Sequence, residues 1–156
     1  MVYGLEAPHH IRYDSSMNRG KYCGLDLGTV RTGVALADAH DRYASAFDTI
    51  AATPPAAMCA RLRTLTKEQD IKLFVIGLPL DMRGGEGDAA RRVRRIAQDV
   101  SDKTGVDVVL WDERLTTSQA LRSLTGTGAN AKKKKAMVDQ IAAVLILQSW
   151  LDANEG

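Results

Sequence analysis

Apolar residues recur along this chain with two periods, and the switches between them mark an alternation of strands and helices. Residues 22–27 and 34–37 are apolar at strand spacing around the turn-rich stretch 28–33, which predicts a β-hairpin. Residues 44–51 can supply a third strand. The continuous apolar run at 73–78 reads as a central strand covered on both faces, and 106–111 as a further strand. Between them, 56–69 carries Met58, Leu62 and Leu65 on one helical face, and 88–104 turns Ala89, Val93, Ile96, Ala97 and Val100 toward the core. Thr53 is the expected cap of the first helix, with Pro54 and Pro55 in its first turn. Thr116 or Thr117 can cap a short helix through Leu124. A Gly-rich stretch at 125–130 then leads to a last helix, capped by Asn130 and running to about Asp152. The order predicts an α/β fold: a five-stranded mixed sheet, an antiparallel hairpin joined to parallel strands, flanked by helices.

Periodicity is lacking before Met17, so residues 1–20 are expected to be a flexible leader and 21–152 one domain, with Met17 as an alternative start. A length of 156 residues suits a single core, and 45% hydrophobic with 26% charged residues is ordinary for a globular chain. No continuous apolar run suggests a membrane span or a signal peptide, which points to the cytoplasm. Cys23 and Cys59 have no metal-ligand spacing and do not suggest a disulfide framework. His9, His10 and His40 lie in the leader and hairpin region, so no His/Cys set offers a zinc site.

Three acids break the apolar pattern. Asp26 stands inside the first strand, where a core hydrophobe belongs. A carboxylate there is costly unless it is paired, hydrogen-bonded or metal-bound. It either caps the following turn through backbone N–H groups or belongs to a metal or phosphate site at the sheet edge. Glu113 follows the strand ending at Trp111, at the carboxyl end where open α/β sheets bind ligands. Otherwise Asp112-Glu113-Arg114 is a solvated loop with a local ion pair. Asp139 shares a helical stripe with Ala142, Ala143, Ile146 and Trp150, about two turns into the last helix. An Asp exposed in a first turn and favoured by the helix dipole is the alternative. Three carboxylates on separate elements can converge on Mg²⁺ or Mn²⁺, and such ions support phosphodiester hydrolysis.

The net charge is only +2, but positive charge is clustered in Arg91, Arg92, Arg94 and Arg95 and in the run Lys132, Lys133, Lys134 and Lys135. The lysines fall in the first turn of the last helix, against its dipole, which suits an anionic partner, or else form a solvated face. The arginines flank a core stripe and project to solvent. With 5% aromatic residues, a base-stacking platform is not expected, and contact with backbone phosphates is the better expectation.

Four stretches in series closely resemble the YqgF/RuvX family: residues 24–35 (GLDLGTVRTGVA), 75–79 (VIGLP), 112–117 (DERLTT) and 139–148 (DQIAAVLILQ). The resemblance runs from about Lys21 to Leu151. It implies a ribonuclease H-like fold and a divalent-metal-dependent nuclease with Asp26, Glu113 and Asp139 as its acidic site. Arg31, Arg114 and the lysine run would hold phosphates. Two roles are associated with the family: maturation of the 5′ end of the small-subunit ribosomal RNA precursor, and resolution of four-way (Holliday) DNA junctions. Better-known junction resolvases of this fold carry an acid at the end of the central strand. Here Gly77-Leu78-Pro79-Leu80 has none, and Glu113 on the following strand can substitute, which favours the RNA precursor. The motif Asp-Leu-Gly-Thr also resembles the phosphate loop of actin-like ATP-binding proteins, but those need two lobes and this chain has room for one. A non-catalytic RNA-binding or transcription factor on the same scaffold is the third class. A homodimer would suit a two-fold junction, although no apolar stripe marks its interface.

Overall fold

The computed structural model describes residues 1–5, 20–116 and 130–154. Its strands are β1 (Val2–Tyr3), β2 (Lys21–Leu27), β3 (Arg31–Asp38), β4 (Ser45–Ala51), β5 (Ile71–Leu78) and β6 (Asp107–Asp112). Its helices are α1 (Pro55–Gln69), α2 (Asp88–Thr104) and α3 (Ala131–Ala153), with a 3-10 turn at Glu113–Leu115. They form one sheet in the order β1-β6-β5-β2-β3-β4. The meander β2-β3-β4 is antiparallel, whereas β2, β5, β6 and β1 run parallel. The mixed sheet expected from the sequence is therefore present, with six strands rather than five. The added strand comes from the expected leader: Val2 and Tyr3 pair with Val108 and Val109 of β6. A two-residue strand is too short to show a period.

Helices α1 and α2 cross over between parallel strands and pack on one face, closing a core of Leu25, Val34, Leu62, Phe74, Ile76, Val93 and Leu110. The α2 side chains that reach it are Ala90, Val93, Ile96, Ala97 and Val100; Ala89, expected among them, is exposed. Helix α1 begins one residue later than expected. Pro54 is the N-cap and Pro55 occupies the first turn, and the Pro54 carbonyl accepts from Ala57 and Met58 N–H groups at 3.0 and 3.2 Å. Thr53 lies outside the cap, since Pro at N1 already presets the helical φ.

Helix α3 covers the other face with Ala142, Ala143, Ile146, Leu147, Trp150 and Leu151. It is long and apolar enough to cross a membrane by length and composition alone. Its apolar stripe is turned onto the sheet instead. Gly24 makes this approach possible, because a Cβ there would stand 2.7 Å from the Ala143 carbonyl oxygen and 2.7 Å from Leu147 Cβ. At the far end Tyr22 meets Trp150 edge to face, ring centroids 5.5 Å apart. Asn130 is the N-cap residue of α3, as expected, but its side chain makes no cap hydrogen bond. The short helix expected after Thr116 or Thr117 lies outside the described residues.

Candidate active site

The parallel strands bring the carboxyl ends of β2, β5 and β6 to one edge of the sheet, and strand alternation then decides what faces α3 there. Along β2, Cys23, Leu25 and Leu27 join the α1/α2 core, so Tyr22, Gly24 and Asp26 turn toward α3. Asp26 pairs across the hairpin with Gly33. A Cβ on Gly33 would fall 1.9 Å from the Asp139 carbonyl oxygen and 2.3 Å from its carbonyl carbon. Only a glycine lets the α3 backbone come down at this point, beside Asp26.

Glu113 arrives from the neighbouring end of β6. Its side chain lies over Gly77 of β5: a Cβ at 77 would stand 2.7 Å from Glu113 Cγ and 2.8 Å from Oε1. The central strand lacks an acid, and Glu113 fills the space that a central-strand side chain would take. The residues on either side of it turn the other way. Asp112 accepts hydrogen bonds from the Arg114 backbone N–H at 2.9 Å and from Arg114 Nη2 at 2.7 Å. The side-chain hydrogen bond from Arg114 holds the Asp112 carboxyl below its ordinary range despite its partial burial. Both readings of Asp112-Glu113-Arg114 are thus realised by different residues: the outer two form the local ion pair and the middle one faces the site.

Asp26, Glu113 and Asp139 line one cavity of about 370 Å³, together with Gly28, Arg31 and Arg92. Asp26 is 1% exposed and Glu113 3%. Asp139 is half-buried, and its Oδ2 accepts from Arg31 Nε at 2.9 Å. Helix α3 starts at Ala131, so Asp139 is two turns in and the first-turn explanation does not apply. As the side chains stand, no group of three His, Cys, Asp or Glu residues among the described residues is close enough to hold a metal ion. A larger groove of about 680 Å³ beside Trp111, Leu115, Leu145 and Gln148 carries one carboxylate, Asp152, and shares no lining residue with the cavity of the three acids.

The structure therefore gathers four of the residues singled out in the sequence: Asp26, Glu113, Asp139 and Arg31. Arg114 stays with Asp112, and Lys132, Lys133, Lys134 and Lys135 are exposed in the first turns of α3 without lining the cavity. Arg92 is the residue that sequence reasoning missed. The sequence places it among arginines that flank the core stripe and project to solvent, yet its Nη2 donates to the Gly28 carbonyl at 2.7 Å and it borders the cavity. The available signal was its place beside Val93 at the start of α2, next to the sheet's carboxyl edge. Cys23 is fully buried, which pushes its thiol pKa up and leaves it an inert core residue.

A mixed sheet in this strand order, with helices on both faces, is the ribonuclease H-like architecture. Thermus thermophilus RuvC, solved in complex with a Holliday junction substrate, shares this fold with a TM-score of 0.55 over 86% of this chain and 95% of that one, at 12% identity. A second structure of that RuvC gives 0.52 over 87% and 96%, at 15% identity. Within this class the chain belongs to the RuvX family: the model described as "RuvX: Holliday junction resolvase" matches residues 20–153. Curated relatives carry the name "Putative pre-16S rRNA nuclease". One from Myxococcus xanthus is 41% identical over 131 residues, 84% of this chain and 87% of the relative. Another from Chloroflexus aurantiacus is 42% identical over 138 residues, 88% and 90% of the two chains.

Proposed function

We propose that this chain is a cytoplasmic, divalent-metal-dependent endonuclease that trims the 5′ end of the small-subunit ribosomal RNA precursor. The observation that carries the reading is the meeting of Asp26, Glu113 and Asp139 at one cavity on the carboxyl edge of the sheet. The donor set is all carboxylate oxygen, which is what Mg²⁺ or Mn²⁺ takes. Three carboxyl groups and two guanidiniums line the cavity, and a divalent cation is the partner that three gathered carboxylates suit. Asp26, Glu113 and Asp139 would hold the metal, and Asp139 would give up its contact with Arg31 to do so. Bound there, the ion supplies the positive charge that activates water and steadies a leaving oxygen.

The chain's own groups do the rest. Asp26 and Glu113 are fixed by burial and by the glycines opposite them, so little rearrangement is needed once substrate is in place. Arg31 and Arg92 bring positive charge to a site that must accept a phosphodiester. The names of the curated relatives and the absence of a central-strand acid both favour the RNA substrate.

The test offers a precursor transcript carrying the 5′ extension and a synthetic four-way DNA junction side by side, with Mg²⁺ or Mn²⁺ titrated. Wild type should cut the precursor near the mature 5′ end, and Asp26→Asn should abolish cutting while its circular dichroism stays native. Preferential cutting of the junction would replace the RNA assignment with a resolvase. Binding that survives chelation with no cutting of either would favour the non-catalytic class.

A further inference from the structure

We infer that Arg92 is the phosphate-gripping residue of this site, while Arg31 is occupied as the partner of Asp139. The inference deepens the nuclease reading and rests on it. Both arginines border the same cavity, but their surroundings differ. Arg31 Nε donates to a carboxylate, Asp139 Oδ2, at 2.9 Å, so its charge is already compensated locally. Arg92 donates to a neutral acceptor, the Gly28 carbonyl, at 2.7 Å, and pairs with no carboxylate among the described residues. A guanidinium has five N–H donors in a planar fork. The carbonyl fixes the orientation of the Arg92 fork, and the other donors keep a full positive charge for an incoming anion.

The neighbouring arginines of α2 sharpen the contrast. Arg91 is paired with Asp88, and Arg94 with Glu86, both by side-chain hydrogen bonds. Arg95 is exposed and does not line the cavity. Arg92 is half-buried, so a fixed fork at the mouth of the cavity is ordered before substrate arrives. The ligand chemistry is a phosphodiester oxygen pair on a nucleic-acid backbone, which Arg meets bidentately. The bond to Gly28 also ties α2 to the β2–β3 turn that follows Asp26. Gripping a phosphate at Arg92 therefore sets the strand's position relative to the acids.

The test measures binding of the 5′-extended precursor transcript, and of the four-way junction, in EDTA over a series of salt concentrations. Four proteins are compared: wild type, Arg92→Gln, Arg92→Lys and Arg95→Gln. Removing one phosphate contact should lower the slope of log affinity against log salt by about 0.7 for single-stranded contacts or about 0.9 for duplex ones, and weaken binding roughly tenfold near 0.1 M salt. Arg92→Lys should keep the slope, and Arg95→Gln should stay close to wild type in affinity. A purely structural Arg92 would lower the melting temperature of Arg92→Gln but leave its slope equal to that of Arg95→Gln, and that result overturns the assignment. If wild type binds neither nucleic acid, the nuclease reading falls with it. If wild type binds and cuts but the Arg92 and Arg95 variants match, only the Arg92 assignment falls.

Discussion

Replacing Gly33 with alanine should damage the fold and the site together, because the space for one methyl group is already filled by helix backbone. The added Cβ would stand 1.9 Å from the Asp139 carbonyl oxygen, 2.3 Å from its carbon and 3.0 Å from the Gln140 nitrogen. Non-bonded carbon atoms prefer roughly 3.5 Å, so α3 or β3 must retreat by more than about 1 Å. No rotamer change can relieve the clash, since the three nearest atoms are all main chain. Overpacking costs typically about 1–3 kcal/mol, and a rigid helix places this case at the upper end. For a domain of this size, that is a fall in melting temperature of roughly 5–10 °C. Asp139 moves with the helix, so its distance from Asp26 grows and cutting should drop further than stability does. Gly87→Ala is the matched control, because nothing lies within 4 Å of a Cβ there and its φ of −93° suits alanine. The assays are thermal unfolding by circular dichroism and Mn²⁺ binding by calorimetry. If Gly33→Ala melts with wild type and binds Mn²⁺ equally, the close approach of α3 at Gly33 is wrong.

Gly77→Ala meets only side-chain atoms, Glu113 Cγ and Oε1 and Ile146 Cδ1, so it should displace Glu113 at modest cost in stability. Cutting should fall at least tenfold, with melting within a few degrees of wild type; unchanged cutting would remove Glu113 from the site. Arg31→Gln frees Asp139 from a charged partner at 2.9 Å, and Mn²⁺ should then bind several-fold tighter by calorimetry, whereas weaker binding would show that Arg31 organises the acids. Arg114 holds the Asp112 carboxyl low in the folded chain, so the unfolded chain binds this proton more readily. The resulting stability is fully present at neutral pH and is lost as pH falls through the depressed folded value. Asp112→Asn should accordingly lose less stability than wild type in urea titrations between about pH 5 and about pH 2, and parallel losses would refute the pairing. A chain begun at Met17 lacks β1 and leaves the β6 edge open, so it should melt a few degrees lower and aggregate more readily.

The sequence exposed the acids because each interrupts a pattern that is otherwise apolar. Asp26 stands in a buried strand, Asp139 on a buried helical stripe, and Glu113 at a strand end. Their meeting at one edge follows from parallel topology, which the order of elements already implied. Arg92 was not legible for a different reason. Helical period assigns a face, but a residue at the margin of that face borders either solvent or a cavity according to how the neighbouring loop lies. That depends on the β2–β3 turn, whose Gly28 carbonyl takes the Arg92 hydrogen bond. Strand β1 escaped because two residues carry no period, and the pairing of Arg114 with its near neighbour Asp112 depends on the turn that follows β6.

The glycines explain why the site and the fold cannot be tuned separately. Gly77, Gly24 and Gly33 lie on adjacent strands β5, β2 and β3, and each is overlain by α3 or by Glu113. Glycine within a strand is normally a loss, since it adds backbone entropy to the unfolded chain and contributes no packing. Here the missing side chains create the space in which the acids meet: Asp139 over Gly33, opposite Asp26, and Glu113 over Gly77. Substitutions that ordinarily raise strand stability would therefore drive the carboxylates apart. A filled sheet face and a compact acidic cavity are sterically incompatible at Gly33 and Gly77, and glycine there leaves the room to the Asp139 backbone and the Glu113 side chain.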